Sequence, residues 1–435
     1  RQIGRPGMSE TKVAGSRHRR IALLSSPTSY RTPAFLAAAE RLKLEVLHIV
    51  DTPEVLAREW RRPEAVDFSQ PETAAERIVE LVRERPVAAV VPVDDSATLL
   101  AALVAARLGL PHNDPDAALA ARDKLRMRER LHAHGVPIPA FTPYPAACDP
   151  HSIAQEVEYP CVVKPTLLSG SRGVIRADNP SEFVAAFERV RRIIASDGGD
   201  LEKAVILVER FVPGFEVALE GLLTEGQLQV LALFDKPDPL DGPFFEETIY
   251  VTPSRLAETT QQAIAECTGR AAAALGLRTG PIHAELRVND QGPWLIEVAG
   301  RSIGGLCSTI LEFGTGMTLE ELILAHAIGE PIVSFERRGE AVGVMMIPIP
   351  GSGILRRVDG IEEARAVPGV TGIEITAKLN HPLVPLPEGA SYLGFIFART
   401  RTPAEVEEAL RAAHRRLAFR ITPEIRLQPI AATRR

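Results

Sequence analysis

Two carboxylates in a predicted β-hairpin have the spacing that most clearly indicates chemistry in this chain. Strand-forming residues flank Asn289-Asp-Gln-Gly292, a sequence with turn chemistry. If Val288 faces Trp294 across this turn, then Glu285 faces Glu297. Facing carboxylates repel each other unless a cation lies between them, and hard oxygen ligands suit Mg²⁺. The hairpin therefore predicts a divalent metal site, and the alternative is a solvated amphipathic hairpin.

The residues after the second glutamate add groups that suit an anionic substrate. Arg301 follows Glu297 by four positions, and its guanidinium can hold a phosphate or a carboxylate through two parallel hydrogen bonds. Gly304 and Gly305 permit close backbone approach to a substrate.

A strand that ends on a lysine and leads into a glycine-rich loop predicts phosphate binding. Lys164 ends the apolar run Val162–Lys164, and the loop Ser169-Gly-Ser-Arg-Gly173 follows. Glycine and serine let backbone N–H groups approach an anion, while the lysine supplies a point charge. The Gly-Lys-Ser/Thr ending of a P-loop is absent. The alternative is a flexible glycine turn without a ligand.

Two further segments could contact a nucleotide. Lys124 lies in the charged helical stretch 122–128, where a lysine is usually solvated. In Glu209-Arg-Phe-Val-Pro-Gly-Phe-Glu216, backbone groups around Phe211 and Val212 could meet an adenine edge. Glu216 could then accept hydrogen bonds from ribose hydroxyls. The alternative for this segment is a strand that ends in a Pro-Gly turn.

The elements that must position these residues begin with alternating strands and helices. We expect strands at Ile21–Ser25, Glu45–Val50 and Val87–Val93 and helices at Pro33–Leu42, Thr73–Arg83 and Ala97–Leu108. Such alternation predicts a parallel sheet covered by helices. The first turn lacks Gly-x-Gly-x-x-Gly, so dinucleotide binding is not indicated. Asp94 and Asp95 follow the third strand, where they either cap a helix or contact a ligand.

Further elements are expected along the rest of the chain. After the linker Gly109–Pro115 we predict one long helix at Asp116–Gly135. The strands expected next are Pro160–Lys164, Val205–Val208, Gly343–Ile349, Gly372–Thr376 and Tyr392–Ala398. The helices expected are Ser181–Ala195, Thr259–Leu275, Leu319–Ile328 and Pro403–Leu417.

Composition restricts the classes of partner. The chain has 435 residues, a net charge of −6 and 5% aromatic residues, which argues against an extended nucleic-acid surface. Its four cysteines are scattered and suggest neither disulfides nor a zinc site. No apolar run reaches the roughly 18 residues that a membrane span needs. We expect a natural start at Met8, a cytoplasmic location, and small molecules rather than nucleic acid or membrane as partners.

The order of these motifs closely resembles the ATP-grasp superfamily over about residues 20–330. The segments Ile296–Cys307, Phe244–Pro253 and Pro385–Gly394 look similar to its carboxylate–amine ligases, in particular the L-amino-acid ligases that form dipeptides. The resemblance implies a mixed α/β and α+β architecture. The implied domains are a Rossmann-like pre-ATP-grasp domain (8–115), linker helices and lid (116–230), a catalytic core with the metal hairpin (231–334) and a C-terminal α+β subdomain (335–435).

The resemblance also implies roles for individual residues. Those implied to bind ATP are Lys124, Lys164, Ser171, Arg172, Gly173, Glu209, Arg210, Phe211, Val212 and Glu216. Glu285 and Glu297 are implied to hold Mg²⁺, for which Mn²⁺ can substitute. Those implied to bind substrate are Glu247, Arg301, Gly304 and Gly305. Arg301, Lys164 and Glu297 are implied to act in catalysis. Many relatives carry an additional metal-binding Asn where this chain has Ala299.

The implied reaction is amide or peptide bond formation through an acyl phosphate, with release of ADP and phosphate. The expected partners are ATP and small carboxylate and amine substrates, and a homodimer is compatible with the resemblance. One alternative is a carboxylase of the biotin-carboxylase type, which would use bicarbonate. The other is a non-catalytic ATP-binding regulator, which would release no phosphate.

Overall fold

A computed structural model describes residues 19–60, 62 and 64–423. The expected start at Met8, and with it the first part of the predicted domain 8–115, lies outside the described residues. No helix within the described part of the chain has both the length and the apolar character needed to span a membrane.

The N-terminal unit is the predicted parallel sheet covered by helices. Its elements are β1 (Arg20–Ser25), α1 (Thr32–Arg41), β2 (Glu45–Asp51), α2 (Glu54–Trp60), β3 (Ala65–Val66), α3 (Pro71–Leu81), β4 (Ala89–Pro92) and α4 (Asp95–Leu108). The strand order is β3-β2-β1-β4, and all pairs are parallel. Sequence alternation predicted these elements except α2 and the two-residue β3. The carboxyl ends of β1 and β4 direct their following loops toward the rest of the chain.

The predicted helix Asp116–Gly135 is wrong, because two helices occupy this stretch. They are α5 (Pro115–Arg122) and α6 (Lys124–Ala133). Asp123 separates them in an extended conformation, and its carboxylate accepts hydrogen bonds from the N–H groups of Leu125 (2.9 Å) and Arg126 (3.3 Å). This is helix N-capping, which Asp favours. The break places Lys124 in the first turn of α6, where it is 7% exposed rather than solvated.

A second, antiparallel sheet forms the unit that carries the glycine-rich loop. Its elements are β5 (Phe141–Pro145), α7 (Pro150–Ile153), β6 (Cys161–Pro165), β7 (Ile175–Ala177), α8 (Pro180–Ser196) and β8 (Val205–Arg210). The strand order is β5-β8-β6-β7. Phe183 and Phe187 of α8 are fully buried against the sheet. This packing holds β6 and its Lys164 in place, and the glycine-rich loop follows β6.

The remaining elements build one large sheet, two small sheets and the helices that cover them. They are β9 (Phe215–Thr224), β10 (Gln227–Lys236), β11 (Ile249–Thr252), α9 (Glu258–Leu275), β12 (Gly280–Asn289), β13 (Gly292–Ala299), a 3₁₀ helix (Cys307–Ile310), β14 (Glu312–Phe313), β15 (Met317–Thr318) and α10 (Leu319–Ala327). The C-terminal ones are β16 (Ala341–Ile347), β17 (Gly353–Asp359), α11 (Ile361–Arg365), β18 (Val370–Ile375), β19 (Pro382–Leu383), β20 (Gly394–Thr400), α12 (Pro403–His414) and β21 (Ala418–Thr422).

The large sheet crosses two of the predicted domain boundaries. Its eight strands run in the order β13-β12-β9-β10-β11-β16-β20-β18. The boundary predicted after residue 230 therefore falls inside β10, and three strands of the predicted C-terminal subdomain belong to the same sheet as the metal hairpin. Strands that pair in a sheet can lie far apart in the sequence. Local sequence patterns therefore do not reveal which strands will pair. A separate small sheet, β19-β17-β21, completes this region.

Candidate active site

A single cavity of about 490 Å³ brings most of the predicted residues together. Its walls come from the loops after β1 and β4, the glycine-rich loop, β8, the hairpin β12–β13 and a C-terminal segment. The predicted residues that line it are Lys124, Lys164, Ser171, Glu209, Arg210, Phe211, Val212, Glu216, Glu247, Glu285, Glu297, Arg301, Gly304 and Gly305. The cavity thus joins motifs that lie up to 181 positions apart in the chain.

Arg172 and Gly173 are not among the residues that line this cavity. The Arg172 guanidinium turns away from it, donating to the Glu388 carbonyl (2.8 Å) and to the Asp197 carboxylate (2.6 Å). The Gly173 N–H donates to the Pro387 carbonyl at 2.9 Å. The roles of both residues as ATP ligands stay a prediction. Their side of the loop is attached to the C-terminal part of the chain instead.

The hairpin pairs the two predicted metal ligands, but through a different register. Val288 pairs with Pro293 and not with Trp294, which alone would place Glu285 opposite Ile296. A β-bulge between Glu285 and Leu286 absorbs one extra residue and restores the pairing of Glu285 with Glu297. The prediction was correct for the carboxylate pair and wrong for the register near the turn.

The bulge leaves Ile296 outside the regular ladder, and a buried arginine compensates for this. Arg128, which is 1% exposed, donates from Nη2 to the Ile296 carbonyl at 2.7 Å. A buried carbonyl without a partner would be costly, so Arg128 stabilises the irregular strand next to Glu297. The helical sequence 122–128 gave no indication of this role.

Arg128 also belongs to a buried charge triad with Glu209 and Lys164. The Glu209 carboxylate lies 2.7 Å from Arg128 Nε and 2.6 Å from Lys164 Nζ. Burial would raise the pKa of Glu209, but the charges of Arg128 and Lys164 lower it to about 2. Burial lowers the pKa of Lys164, which Glu209 opposes. The Glu209 side chain therefore holds Lys164, the predicted phosphate-binding residue. The contact of Glu209 with adenine stays a prediction.

A second buried cluster was missed by the sequence reasoning. Lys236 Nζ lies 3.0 Å from Glu216, 2.5 Å from Glu247 and 3.5 Å from Glu285. Burial would lower the pKa of Lys236, but the three carboxylates raise it well above its ordinary range. The ammonium therefore stays charged between them. The available signal was the position of Lys236 at the end of an apolar strand.

Arg287 completes the environment of Glu216. It donates from Nε to the other carboxylate oxygen of Glu216 at 3.1 Å and from Nη1 to the Val212 carbonyl at 3.1 Å. Both oxygens of Glu216 are thus engaged by cations, so a hydrogen bond from ribose would have to be shared with them. Arg287 also stacks on the Phe211 ring, with its guanidinium carbon 4.9 Å from the ring centre.

The carboxylates of the cavity fit a hard divalent cation. Oxygens of Glu216, Glu247 and Glu285 lie within 4.8 Å of one another, but Lys236 already supplies a positive charge among them. Glu285 and Glu297 face each other across the hairpin and both line the cavity. Their closest cationic groups lie at 3.5 Å, Lys236 for the first and Lys124 for the second. Carboxylate oxygens are the donors that Mg²⁺ takes, so this pair stays the predicted metal site.

Glu220 connects the hairpin to the segment that carries Arg301. Its fully buried carboxylate lies 3.0 Å from His283 Nδ1 and accepts from the Ile303 N–H at 3.0 Å. Burial opposes protonation of His283, but hydrogen bonds to Glu220 and Glu285 raise its pKa to about 9. His283 is therefore a cation at neutral pH and offsets the negative charge of Glu285.

Arg301 and the acidic pair after β4 meet at the far end of the cavity. Arg301 donates from Nη2 to the Asp95 carboxylate at 2.8 Å and from Nη1 to the Ser302 carbonyl at 3.0 Å. Asp94 occupies an N-cap position, yet its side chain makes no capping hydrogen bond. It accepts instead from the Ser26 N–H (2.8 Å) and Ser29 Oγ (2.7 Å). The capping interpretation is therefore wrong, because these carboxylates shape the cavity wall.

Comparisons with known proteins agree with this geometry. Residues 157–310 match the model of an ATP-grasp domain, and residues 345–422 match L-amino acid ligase C-terminal domain 2. The chain therefore contains an ATP-grasp domain. The crystal structure of an L-amino acid ligase from Bacillus licheniformis superposes with a TM-score of 0.78 at 28% identity, covering 94% of this chain and 100% of that one. The predicted ATP-grasp architecture, with mixed helices and sheets, is thereby confirmed.

Two further relatives are similar to this chain. Alanine–anticapsin ligase from Bacillus subtilis is 25% identical over 72% of this chain and 70% of its own length. Human carnosine synthase 1 is 30% identical over 58% of this chain, but this stretch represents only 32% of its own length. The similarity to carnosine synthase therefore concerns about a third of that protein.

Proposed function

We propose that this protein is an ATP-dependent carboxylate–amine ligase that joins amino acids through an acyl-phosphate intermediate. The observation that carries the proposal is the single cavity that holds Lys124, Lys164, the facing Glu285 and Glu297, and Arg301. The match to an L-amino acid ligase C-terminal domain supports the same reaction. The names of two relatives, alanine–anticapsin ligase and carnosine synthase, support amino acids as substrates.

In the proposed reaction, an oxygen of the substrate carboxylate attacks the γ-phosphorus of ATP. The bond from this phosphorus to the β,γ-bridging oxygen breaks, and ADP leaves. The amine nitrogen of the second substrate then attacks the acyl carbon, the bond to the phosphate oxygen breaks, and the nitrogen loses a proton. The products are an amide, ADP and inorganic phosphate.

The contribution of the protein to such a reaction is positioning and charge neutralisation. Lys124 and Lys164 are nearly buried cations at one end of the cavity, suited to the phosphates. Glu285 and Glu297 would hold Mg²⁺, which neutralises charge on the transferring phosphoryl group. Arg301 follows Glu297 in the chain and pairs with the Asp95 carboxylate. Release of this pair would leave the guanidinium free to bind the acyl phosphate.

The amine substrate requires an acidic group, and Glu247 is suited to this. It lines the cavity next to Lys236, at 2.5 Å, and burial raises its pKa. A substrate ammonium that approaches Glu247 would be the second cation paired with this carboxylate, after Lys236. The same carboxylate would then be close enough to accept a proton from the ammonium. Gly304 and Gly305 also line the cavity, and glycine permits close backbone approach to a substrate.

One departure from the resemblance concerns the metal. Many relatives were expected to use an Asn where this chain has Ala299, which is 4% exposed. An alanine methyl group offers no ligand atom, so we propose that phosphate and water oxygens complete the coordination of any second cation.

The proposal can be tested by a screen that measures phosphate release with pairs of amino acids and small carboxylic acids, followed by mass spectrometry of the products. We expect phosphate release to require both an acid and an amine and to match amide formed one to one. Phosphate release that depends on bicarbonate instead would indicate a carboxylase. Nucleotide binding without phosphate release for any pair would indicate a regulator, and either result would overturn the proposal.

A further inference from the structure

The segment between β19 and β20 contacts both the glycine-rich loop and the cavity. Ala390 and Tyr392 line the cavity, and the Gly173 N–H donates to Pro387 at 2.9 Å. The Arg172 guanidinium donates to the Glu388 carbonyl at 2.8 Å. This segment, residues 384–392, thus connects the loop after β6 with a wall of the site about 220 positions later in the chain.

An ion pair fixes the same segment to α8 of the lid. Arg189 donates from Nε and Nη2 to the two oxygens of Glu388, at 2.6 and 2.9 Å. A two-pronged pair of this kind restricts orientation more than a single contact does. The side chains are 37% and 43% exposed, so the pair contributes little to the free energy of folding. Its main physical effect is to determine where the segment lies relative to the lid.

The segment itself contains a tight turn. The Gly389 N–H donates to the Pro385 carbonyl at 2.9 Å. A Cβ on Gly389 would lie 1.9 Å from the Val384 carbonyl oxygen, so the turn closes only around a glycine. Ala390 is the next residue, and a Cβ on Gly170 of the glycine-rich loop would lie 3.2 Å from the Ala390 Cβ. The backbone of the glycine-rich loop therefore lies close against the cavity wall at Ala390.

We infer that Glu388 is a positioning residue that couples closure of the glycine-rich loop over ATP to the shape of the substrate wall at Ala390 and Tyr392. The inference rests on the proposed function, because it assumes that ATP binds beneath the loop. It also gives a role to the Pro385–Gly394 motif, which the reaction itself does not use. Nucleotide binding should thus order both the loop and the segment, and substrate binding should tighten nucleotide binding.

The first test is amide hydrogen exchange on the full chain, with and without a non-hydrolysable ATP analogue. We expect the analogue to protect both 169–173 and 384–392 in the wild-type protein. In Glu388→Gln, the analogue should protect both 169–173 and 384–392 less than it does in the wild type. Equal protection of both segments in the variant and the wild type would overturn the inference.

The second test is steady-state kinetics with the same variant. Loss of an exposed two-pronged pair should raise the KM for ATP about twofold to fivefold while kcat changes less. Exchange of the two charges, Arg189→Glu with Glu388→Arg, should restore most of the KM. Glu408→Gln, which removes an exposed ion pair with Arg415 on α12, is the matched control and should have wild-type KM. A lowered melting temperature without a change in KM would show a merely structural pair and refute the inference.

These tests separate the two proposals. If the analogue binds and amide forms but Glu388→Gln has no effect, the coupling is refuted and the ligase proposal stays in place. Analogue binding with the expected exchange pattern but no amide product would refute the ligase proposal and support the coupling. Failure of the analogue to bind would overturn both.

Discussion

Replacement of Glu209 by glutamine tests whether the buried charge triad holds the phosphate-binding lysine. The substitution keeps the shape of the side chain but removes the anion between Lys164 and Arg128, which are 6% and 1% exposed. Removal of one partner from a buried ion pair typically costs about 3–5 kcal/mol. Lys164 can reduce this cost by releasing its proton, since burial already lowers its pKa, whereas Arg128 cannot. We therefore expect the free energy of unfolding to fall by about 3 kcal/mol at pH 7.

The pH dependence gives an independent estimate of the same quantity. The pKa of Glu209 is lowered from 4.5 to about 2 in the folded protein, so folding is favoured by the ionised form. This contribution is fully present above pH 4.5 and is lost as the pH falls toward 2. The shift corresponds to about 3 kcal/mol. The difference in stability between wild type and Glu209→Gln should therefore shrink as the pH falls through this window.

The assay is urea unfolding of both proteins at several pH values, monitored by intrinsic fluorescence, with ATP affinity measured on the same preparations. Glu72→Gln removes an exposed ion pair with Arg107 in the N-terminal unit and serves as the matched control. It should change the stability by less than about 1 kcal/mol. A loss below 1 kcal/mol in Glu209→Gln, or a difference from wild type that does not depend on pH, would refute the reasoning.

Three further predictions concern the reacting end of the cavity. Glu297→Gln should lower ATP turnover about a hundredfold or more with an unchanged circular dichroism spectrum, because it removes a predicted metal ligand; a near wild-type rate would contradict the metal site. Arg301→Lys should bind ATP almost normally in calorimetry but form amide far more slowly, because a lysine ammonium cannot hold the acyl phosphate through the two parallel hydrogen bonds that a guanidinium offers. A parallel collapse of ATP affinity would place Arg301 on the nucleotide. Glu247→Gln should raise the KM for the amine about tenfold, as expected for loss of a charge-assisted hydrogen bond, and leave the KM for ATP unchanged; equal effects on both would assign Glu247 to the nucleotide instead.

Much of the architecture was predictable from the sequence because its signals are local. The alternation of strands and helices before residue 108 gave the parallel sheet, and the turn at Asn289–Gly292 gave the hairpin. The order of the lysine, glycine and glutamate motifs then indicated the ATP-grasp fold. The facing of Glu285 and Glu297 was also predicted, although a bulge at Ile296 was needed to produce it.

Other features depend on contacts that no local pattern contains. Lys236 lies among carboxylates from other strands and a loop, which only the order of strands in the sheet brings together. The direction of Arg172 follows from its partners Asp197, just after α8, and Glu388 in segment 384–392. Asp123 is a residue type that favours the N-cap of a helix, so the sequence contained a signal for the break. The alanine-rich helical pattern before Asp123 nevertheless favoured one continuous helix.

The continuity of the eight-stranded sheet has a consequence for chimeric ligases assembled from two parents. β11 and β16 meet through four antiparallel pairs, one of which joins the cavity residue Tyr250 to Val344. At the neighbouring Gly343, a Cβ would lie 2.5 Å from Val406 Cγ1 and 2.9 Å from the Tyr250 carbonyl oxygen. If a recombination point lay between these strands, residues from two different parents would have to pack against each other where there is little free space. Inheritance of β9 to β20 from one parent avoids this. A crossover near Gly109 would divide no sheet, because the N-terminal sheet shares no strand with the large one, but the parents would have to match where Phe35 and its neighbours pack against the large sheet.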